Sequence, residues 1–489
     1  MSMKIEDISE FSRKKGFFWS SSEIYGGFTG FYDYGANGTL LKRKFENLWR
    51  KYFLGLNENF YEIESSDIMP EKVFVASGHI TNFVDPVAKC KKCGAHHRAD
   101  HILEDYLKRS FEGITAEELT KIIKSKKVVC PKCKGELGDV KTLVMMFPMN
   151  VGAEGGSRAY LRPETAQGPY VNFLRHFSLL RNRLPLGLAV IGKAYRNEIS
   201  PRNLTMRMRE FTQAELQIFF DPEKIEDHEN WDGVKDYKLI LFPVSQKEKK
   251  AVKISCQDVV KKLKIPKFYV WHLARVQQFY LDKMRIPEEL FRFKELSEEE
   301  RAFYNKIHWD IELDLESLGG FREVGGVHYR GDHDLSGHQK VSKQSHEIFF
   351  DGKRFIPHVL ELSFGVDRNI YSLLEIFFRQ EKDRTILSLP PSVAPLQIAV
   401  FPLVSKDGLD KKAKEIHGML KKDFDALYDD SGSLGKRYYR EDERGTPFAI
   451  TVDYDSMENN DVTLRFRDTK KQERVKIKDL RDALSKLIQ

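Results

Sequence analysis

From Gly38 to Phe53 the apolar residues Leu41, Phe45, Leu48, Trp49 and Phe53 recur at three- and four-residue spacing, which predicts an amphipathic helix. Residues 59–70 (NFYEIESSDIMP) then alternate apolar and polar positions and stop at Pro70, the pattern of a strand. Strand-like runs recur at 143–149 (LVMMFPM), 186–195 (LGLAVIGKAY) and 211–220 (FTQAELQIFF), and 357–378 read as a strand running into a helix. Residues 222–310 are charged and helix-leaning, broken at Pro266 and Pro287, and read as an inserted helical subdomain. PPSVAP at 390–395 marks a boundary, beyond which strands and helices alternate in the rhythm of a small α/β domain. These shifts divide the chain into a core built from 1–88, 143–221 and 311–390, insertions at 89–142 and 222–310, and a terminal domain at 391–489.

Composition narrows the class. At 489 residues with 41% hydrophobic and 31% charged residues, the chain reads as several globular domains. No apolar run reaches the ~18 residues of a membrane span, and the opening MSMKIEDISEFSRKKG lacks the apolar stretch of an export signal. The net charge of +7 allows an anionic partner. It is unevenly placed: residues 89–142 hold 13 Lys/Arg against 8 Asp/Glu, whereas 391–489 are near balance at 19 against 18. The five cysteines sharpen the compartment. Cys90, Cys93, Cys130 and Cys133 form two CxxC pairs, which suits metal ligation in a reducing cytoplasm better than a secreted disulfide framework.

The richest chemistry lies in KAYRNEISPRNLTMRMREFTQAELQIFF. Two strand-like runs flank a polar loop, so Arg196 and Glu198 share a face of the first strand while Arg209, Phe211 and Glu215 lie on the second. Guanidinium groups for phosphate and an aromatic for a base suit a nucleoside triphosphate. The thiolates of Cys90, Cys93, Cys130 and Cys133 suit a closed, structural tetrahedral zinc site. The 36 residues between the pairs leave His96 or His97 open as a substitute ligand. Between them Thr115 and Glu118 predict a capped helix. Cys256 reads as a buried apolar filler, and the lysine-rich KEKK at 247–250 as a solvated face.

The order of these elements resembles the three signature motifs of class II aminoacyl-tRNA synthetases. More specifically, GGFTGFYDYG (26–35), SGHITNFVDP (77–86), RADH (98–101), YLRPETAQG (160–168), YRNEISPR (195–202), REFTQAE (209–215) and PHVLELSFGVDR (357–368) are similar to the glycyl-tRNA synthetase family of archaeal and eukaryotic type. The chain departs from that pattern at GANG (35–38), where prolines are usual, and at Leu204-Thr205.

The resemblance implies an α+β fold: a mostly antiparallel sheet flanked by helices, a zinc-knuckle insertion and a C-terminal α/β anticodon-binding domain. It implies activation of glycine by ATP and transfer to the 3′ end of tRNA(Gly). Arg196 and Arg368 would be catalytic. Arg196, Asn197, Glu198, Arg207, Met208, Phe211, Glu323, Val324 and Arg368 would bind ATP, with Mg²⁺ near Glu323. Arg98, Glu164, Glu215, Glu361 and Ser363 would bind glycine. The HYRGDHDLSGH segment, with His328, His333 and His338, matches a family stretch and reads as substrate or structural hydrogen bonding rather than a metal site. An apolar face on the first helix, carrying Phe45 and Trp49, implies a homodimer. Two alternatives stay open at this point: a class II synthetase for another small amino acid, and a non-charging paralogue that binds RNA.

Overall fold

The computed structural model describes residues 4–488 except 110, 112, 154, 246–249, 303 and 383, so most of the KEKK segment lies outside the described residues. Its centre is a nine-stranded sheet. In chain order the strands are β1 (Phe60–Glu62), β2 (Leu186–Tyr195), β3 (Glu210–Phe220), β4 (Lys238–Phe242), β5 (Val252–Ser255), β6 (Phe291–Glu295), β7 (Ile307–Leu315), β8 (Gly320–Gly331) and β9 (His358–Gly365). Their spatial order is β5-β4-β6-β7-β8-β9-β3-β2-β1. Only β1 with β2 and β4 with β6 pair in parallel; the remaining pairs are antiparallel.

The period of two divides the sheet into two faces. From β3 and β9, Ala214, Leu216, Ile218, Phe220, Leu360, Leu362 and Phe364 enter one apolar core. The helices α1 (Ala36–Phe53), α3 (Lys267–Gln278) and α5 (Val366–Ile376) cover this face, while α2 (Gln167–Leu179) and α4 (His333–Ser342) cover part of the other. The GANG segment opens α1, and Gly38 is required there: a Cβ would fall 1.9 Å from the carbonyl oxygen of Phe17.

Three expectations are corrected. Phe45 and Trp49 are fully buried, packed in their own chain's core beside Phe279 and Phe364, so the stripe on α1 covers the sheet and is no exposed face. The alternating run 59–70 breaks into β1 and a separate strand, Ile68–Pro70, which joins a three-stranded sheet with 148–151 and 157–161. The segment 222–310 is not a helical insert: it supplies β4, β5 and β6 to the central sheet and α3 to its core. Its strands KLILF, VKIS and FRFKE are short and edged with charge, which masks their period of two.

The cysteine-rich insertion has its own three-stranded sheet (Val84–Cys90, His96–Arg98, Leu137–Val144) and small core. Its helix Ala116–Ser125 begins at Thr115, whose hydroxyl accepts from the Glu118 N–H while the Glu118 carboxylate accepts in return. The C-terminal domain is a five-stranded mixed sheet with helices Leu409–Leu420, Leu434–Arg444 and Leu480–Ile488. Among the described residues no helix is long and apolar enough to cross a membrane.

Candidate active site

A cavity of about 230 Å³ opens on the polar face of β3, β8 and β9. Alternation places Phe211, Gln213, Glu215 and Gln217 of β3 on that face, and Glu361 and Ser363 of β9 directly opposite Gln217 and Glu215. The structure therefore brings together, along this cavity, Glu164, Arg196, Glu198, Arg207, Met208, Phe211, Glu215, Glu323, Glu361, Ser363 and Arg368. Asn197, Val324 and Arg98 do not line it. Asn197 bonds through its backbone N–H to Met145, Val324 turns its side chain into the core, and Arg98 is pinned by Asp85 at 3.1 Å and by Asp100.

One end of the cavity is lined by three arginines and their neighbouring carboxylates. The Arg196 guanidinium lies 5.3 Å from the Phe83 ring and 5.2 Å from the Phe211 ring, with Nε donating to the Pro163 carbonyl at 3.0 Å. Arg207 pairs with Glu198 at 3.2 Å, and Arg368 with Glu323 at 2.9 Å. Arg368 is also oriented by the Met206 carbonyl, 3.0 Å from its Nε. Arg207 and Arg368 are both partly exposed and line the cavity. Asp310 of β7 lies beside Glu323, and burial followed by the Glu323 charge pushes its carboxyl up to about 6.

The other end holds buried carboxylates around Arg330, which lies in the HYRGDHDLSGH segment but is not among the residues expected to bind substrate. Arg330 of β8, only 1% exposed, donates to Asp334 at 2.8 and 3.1 Å, to Glu361 at 2.9 Å and to Glu164 at 3.3 Å. Its guanidinium is 3.9 Å from the Tyr304 ring. Glu361 also accepts from Gln217 at 2.7 Å and contacts His328 Nδ1. Glu164 accepts from Gln167 at 2.8 Å, with His79 at 3.5 Å. Glu215 accepts three bonds, all from neutral groups: Thr165 (2.6 Å), Ser363 (2.7 Å) and Gln213 (2.9 Å).

These surroundings set the charges apart. Burial raises the Glu164 carboxyl, but Arg330 and His79 outweigh it and hold it well below the ordinary range. Burial prevails over Arg330 at Glu361, which is raised. At Glu215 burial and the charges of Glu361 and Glu164 push the carboxyl up to about 8. A signal for Arg330 was present in GVHYRGDHDL: Gly326, His328 and Arg330 alternate along one strand and so share a face with His328, which lines the cavity. His333 and His338 make structural contacts instead, to the Ser77 carbonyl (3.5 Å) and the Gln167 side chain (2.9 Å).

The cysteine quartet is assembled in the insertion, with its sulfur atoms all within 4.8 Å of one another. Cys90 and Cys133 are 3.5 Å apart and Cys93 and Cys130 3.8 Å, against the ~3.8 Å that tetrahedral zinc with ~2.3 Å bonds requires. The Cys93 N–H donates to Cys90 Sγ at 3.5 Å, which orients one knuckle. His97 Nε2 lies 3.3 Å from Cys130 Sγ, beside the four sulfurs. Cys256, outside this group, is fully buried, and burial pushes its thiol up to about 12.

Residues 149–377 match the tRNA synthetase class II core domain (G, H, P, S and T), and residues 397–487 match an anticodon binding domain. Prolyl-tRNA synthetase from Cryptosporidium parvum, solved with L-proline and AMP, shares the fold at a TM-score of 0.59 with 13% identity, over 99% of this chain and 78% of that one. Mixed sheet, flanking helices and appended domain thus define a class II aminoacyl-tRNA synthetase. The chain is 40% identical to the glycine–tRNA ligase of Thermococcus gammatolerans, with 99% of this chain and 98% of that one aligned. It is 40% identical to that of Pyrococcus furiosus (99% and 99%) and 38% identical to that of Methanocaldococcus jannaschii (98% and 98%). The chain belongs to the glycine–tRNA ligase family, ligases that join glycine to tRNA at the expense of ATP.

Proposed function

We propose that the carboxylate end of the cavity captures the ammonium group of glycine while the arginine end holds ATP. One observation carries this reading: Glu215 is buried in a cluster of carboxylates and is met by neutral donors, so an incoming cation completes the site. Glycine has no side chain to grip, and its ammonium is the handle it offers. Its carboxylate then turns toward Arg196 and attacks the α-phosphate, expelling pyrophosphate. The 3′-terminal ribose hydroxyl of tRNA(Gly) next attacks the carbonyl of the adenylate and AMP leaves.

Neither step needs a protein nucleophile. The chain positions the reactants and stabilises charge as it develops. Arg196 serves the α-phosphate and the amino-acid carboxylate, and Arg207 and Arg368 the β- and γ-phosphates. Phe211 stacks on adenine, Glu198 accepts from its amino group, and Met208 lines its pocket. Asn197 and Val324 contribute through their backbones. The neighbouring carboxylates Glu323 and Asp310 form an oxygen donor set that suits Mg²⁺, which on binding with ATP neutralises triphosphate charge. Arg98 remains outside the cavity, tied to Asp85 and Asp100, and reaches glycine only if the insertion closes.

The sulfur spacing supports a structural Zn²⁺ held by Cys90, Cys93, Cys130 and Cys133. We place the enzyme in the cytoplasm, where free thiols persist, and read it as a homodimer. With the stripe on α1 buried, support for a dimer shifts to the end of the sheet where β1 leaves an open edge, Tyr61 is 39% exposed, and Leu179 of the neighbouring α2 is 70% exposed. Glycine-dependent ATP–pyrophosphate exchange by Glu215→Gln tests the central reading, and undiminished glycine activation refutes it.

A further inference from the structure

The floor of the cavity follows from strand register. Across β7, β8, β9 and β3 one row reads His308, His328, Glu361 and Gln217, and the next reads Asp310, Gly326, Ser363 and Glu215. The second row has a gap at Gly326, and the first row fills it. A Cβ on Gly326 would lie 2.3 Å from His328 Nε2 and 3.2 Å from two ring carbons. The imidazole therefore leans over Gly326, next to Ser363.

This ring is fixed on both sides. Its Nδ1 contacts the Glu361 carboxylate, and the His308 ring meets it edge-on at 4.2 Å. His308 is held in turn by Asp310 at 2.9 Å and by the Asn305 amide at 3.2 Å. Burial, then His308 and Arg330, keep His328 neutral, so it adds bulk without repelling an ammonium group.

From this geometry we propose that His328 is a specificity-determining residue, the wall that excludes a substituent on the Cα of the amino acid. The proposal rests on the placement of glycine given above. A substrate with its ammonium at Glu215 and its carboxylate toward Arg196 lays its Cα over the row of Gly326 and Ser363. The Ser363 hydroxyl is engaged with Glu215, and Glu361 is engaged with Arg330 and Gln217. The imidazole over Gly326 is then the rigid body a methyl group would meet.

ATP–pyrophosphate exchange with glycine, alanine and serine, run on the full chain, tests it. His328→Ala opens the gap, and the alanine-to-glycine ratio of kcat/KM rises about tenfold or more while the KM for ATP holds. Gly326→Ala alone drives its methyl into the imidazole and lowers glycine activation. Combined with His328→Ala, the same methyl refills the gap and returns the ratio toward that of the parent enzyme, a rescue that a merely destabilising change does not give. His328→Ser provides the same readout if the alanine variant does not fold. An unchanged ratio in the opened variant, or no rescue in the double variant, overturns the wall. Glu215→Gln run in parallel separates the two claims: if it leaves glycine activation intact, the placement of glycine is wrong, whereas loss there with no relaxation at His328 removes the wall alone.

Discussion

Two regions of this molecule gather groups able to carry negative charge, four cysteines in one and a set of carboxylates in the other, and they do so differently. In the insertion, four sulfurs stand within 4.8 Å of one another over a small core of their own. At the cavity, Glu164, Glu361 and Asp334 surround Arg330 while Glu215 stands beside them with neutral donors alone, on a nine-stranded sheet with a large apolar core beneath. The insertion has only a small sheet and core of its own, so a metal held by the four thiolates, as proposed above, would add to its folding energy. In the cavity Arg330 meets Glu164, Glu361 and Asp334 and leaves Glu215 with neutral donors, which is where the glycine ammonium group is proposed to sit. A closed set of ligands makes a staple, and an open set with one group left over makes a binding site.

The largest expected effect breaks the cavity half of this comparison. Glu215→Gln keeps the shape and removes the charge that receives the ammonium, at a cost of about 3–4 kcal/mol, or roughly 10²- to 10³-fold in kcat/KM for glycine. Glu361→Gln should follow at a smaller loss, since Arg330 keeps Glu164 and Asp334 as partners. In both variants the KM for ATP should stay within a few-fold of the parent. A matching rise in the KM for ATP would show that the two ends of the cavity are not separable.

Cysteine replacement tests the other half. Cys130→Ser should abolish binding of one Zn²⁺ per chain, measured by elemental analysis, and expose the amides of 89–142 to hydrogen exchange. Metal binding of order ~10 kcal/mol is local folding energy here, so the melting of the central sheet should barely move. If the whole chain unfolds with the metal, the insertion is no separate staple.

These two sites were unequally legible in the sequence. CxxC spacing announces its chemistry locally, and the four cysteines stand together in the fold. RNE, PET and LELSFG likewise marked Arg196, Glu198, Glu164, Glu361 and Ser363. Arg330 was passed over because, besides Asp334 four residues on, its partners Glu164 and Glu361 come from distant segments, and a strand's alternation shows its face but not its burial among acids. Phe45 and Trp49 were misread for a related reason: periodicity says that a helix has an apolar face and is silent on what covers it. The strands of 222–310 were hidden because they are short and charged, and because the pairing of β4 with β6 that carries them into the sheet joins residues about fifty positions apart.

A pH titration sharpens the comparison with a smaller effect. The Glu215 carboxyl has an ordinary value of 4.5 and is pushed up to about 8 in the free cavity. It therefore binds a proton at neutral pH that glycine must displace, and the KM for glycine should fall as pH rises toward 8, up to ~10-fold per unit. Stability responds to the same proton. Between 4.5 and 8 the folded protein holds a proton that the unfolded chain has lost, so stability without substrate declines as pH rises through that window. Saturating glycine restores it, and the rise in Tm on adding glycine should grow with pH. A glycine KM flat across that range would place the titrating group elsewhere.

The smallest effect concerns the outer surface of the insertion. It holds 13 Lys/Arg against 8 Asp/Glu, while the terminal domain is nearly neutral at 19 against 18, which makes the insertion the better candidate for contact with the tRNA backbone. Lys126 and Lys127 are exposed at the end of the helix Ala116–Ser125, whereas Lys124 is paired with Asp139 at 2.6 Å. Reversing all three to glutamate should raise the KM for tRNA a few-fold and leave glycine-dependent pyrophosphate exchange unchanged, because the cavity is built from other segments. Each tRNA phosphate that is no longer neutralised should flatten the dependence of log affinity on log salt by about 0.7–0.9. Lys126 and Lys127 should account for most of the change, since Lys124 already spends its charge on Asp139. An unchanged salt slope would mean that these lysines only face water, and that the positive charge of the insertion serves the four thiolates it surrounds rather than the tRNA.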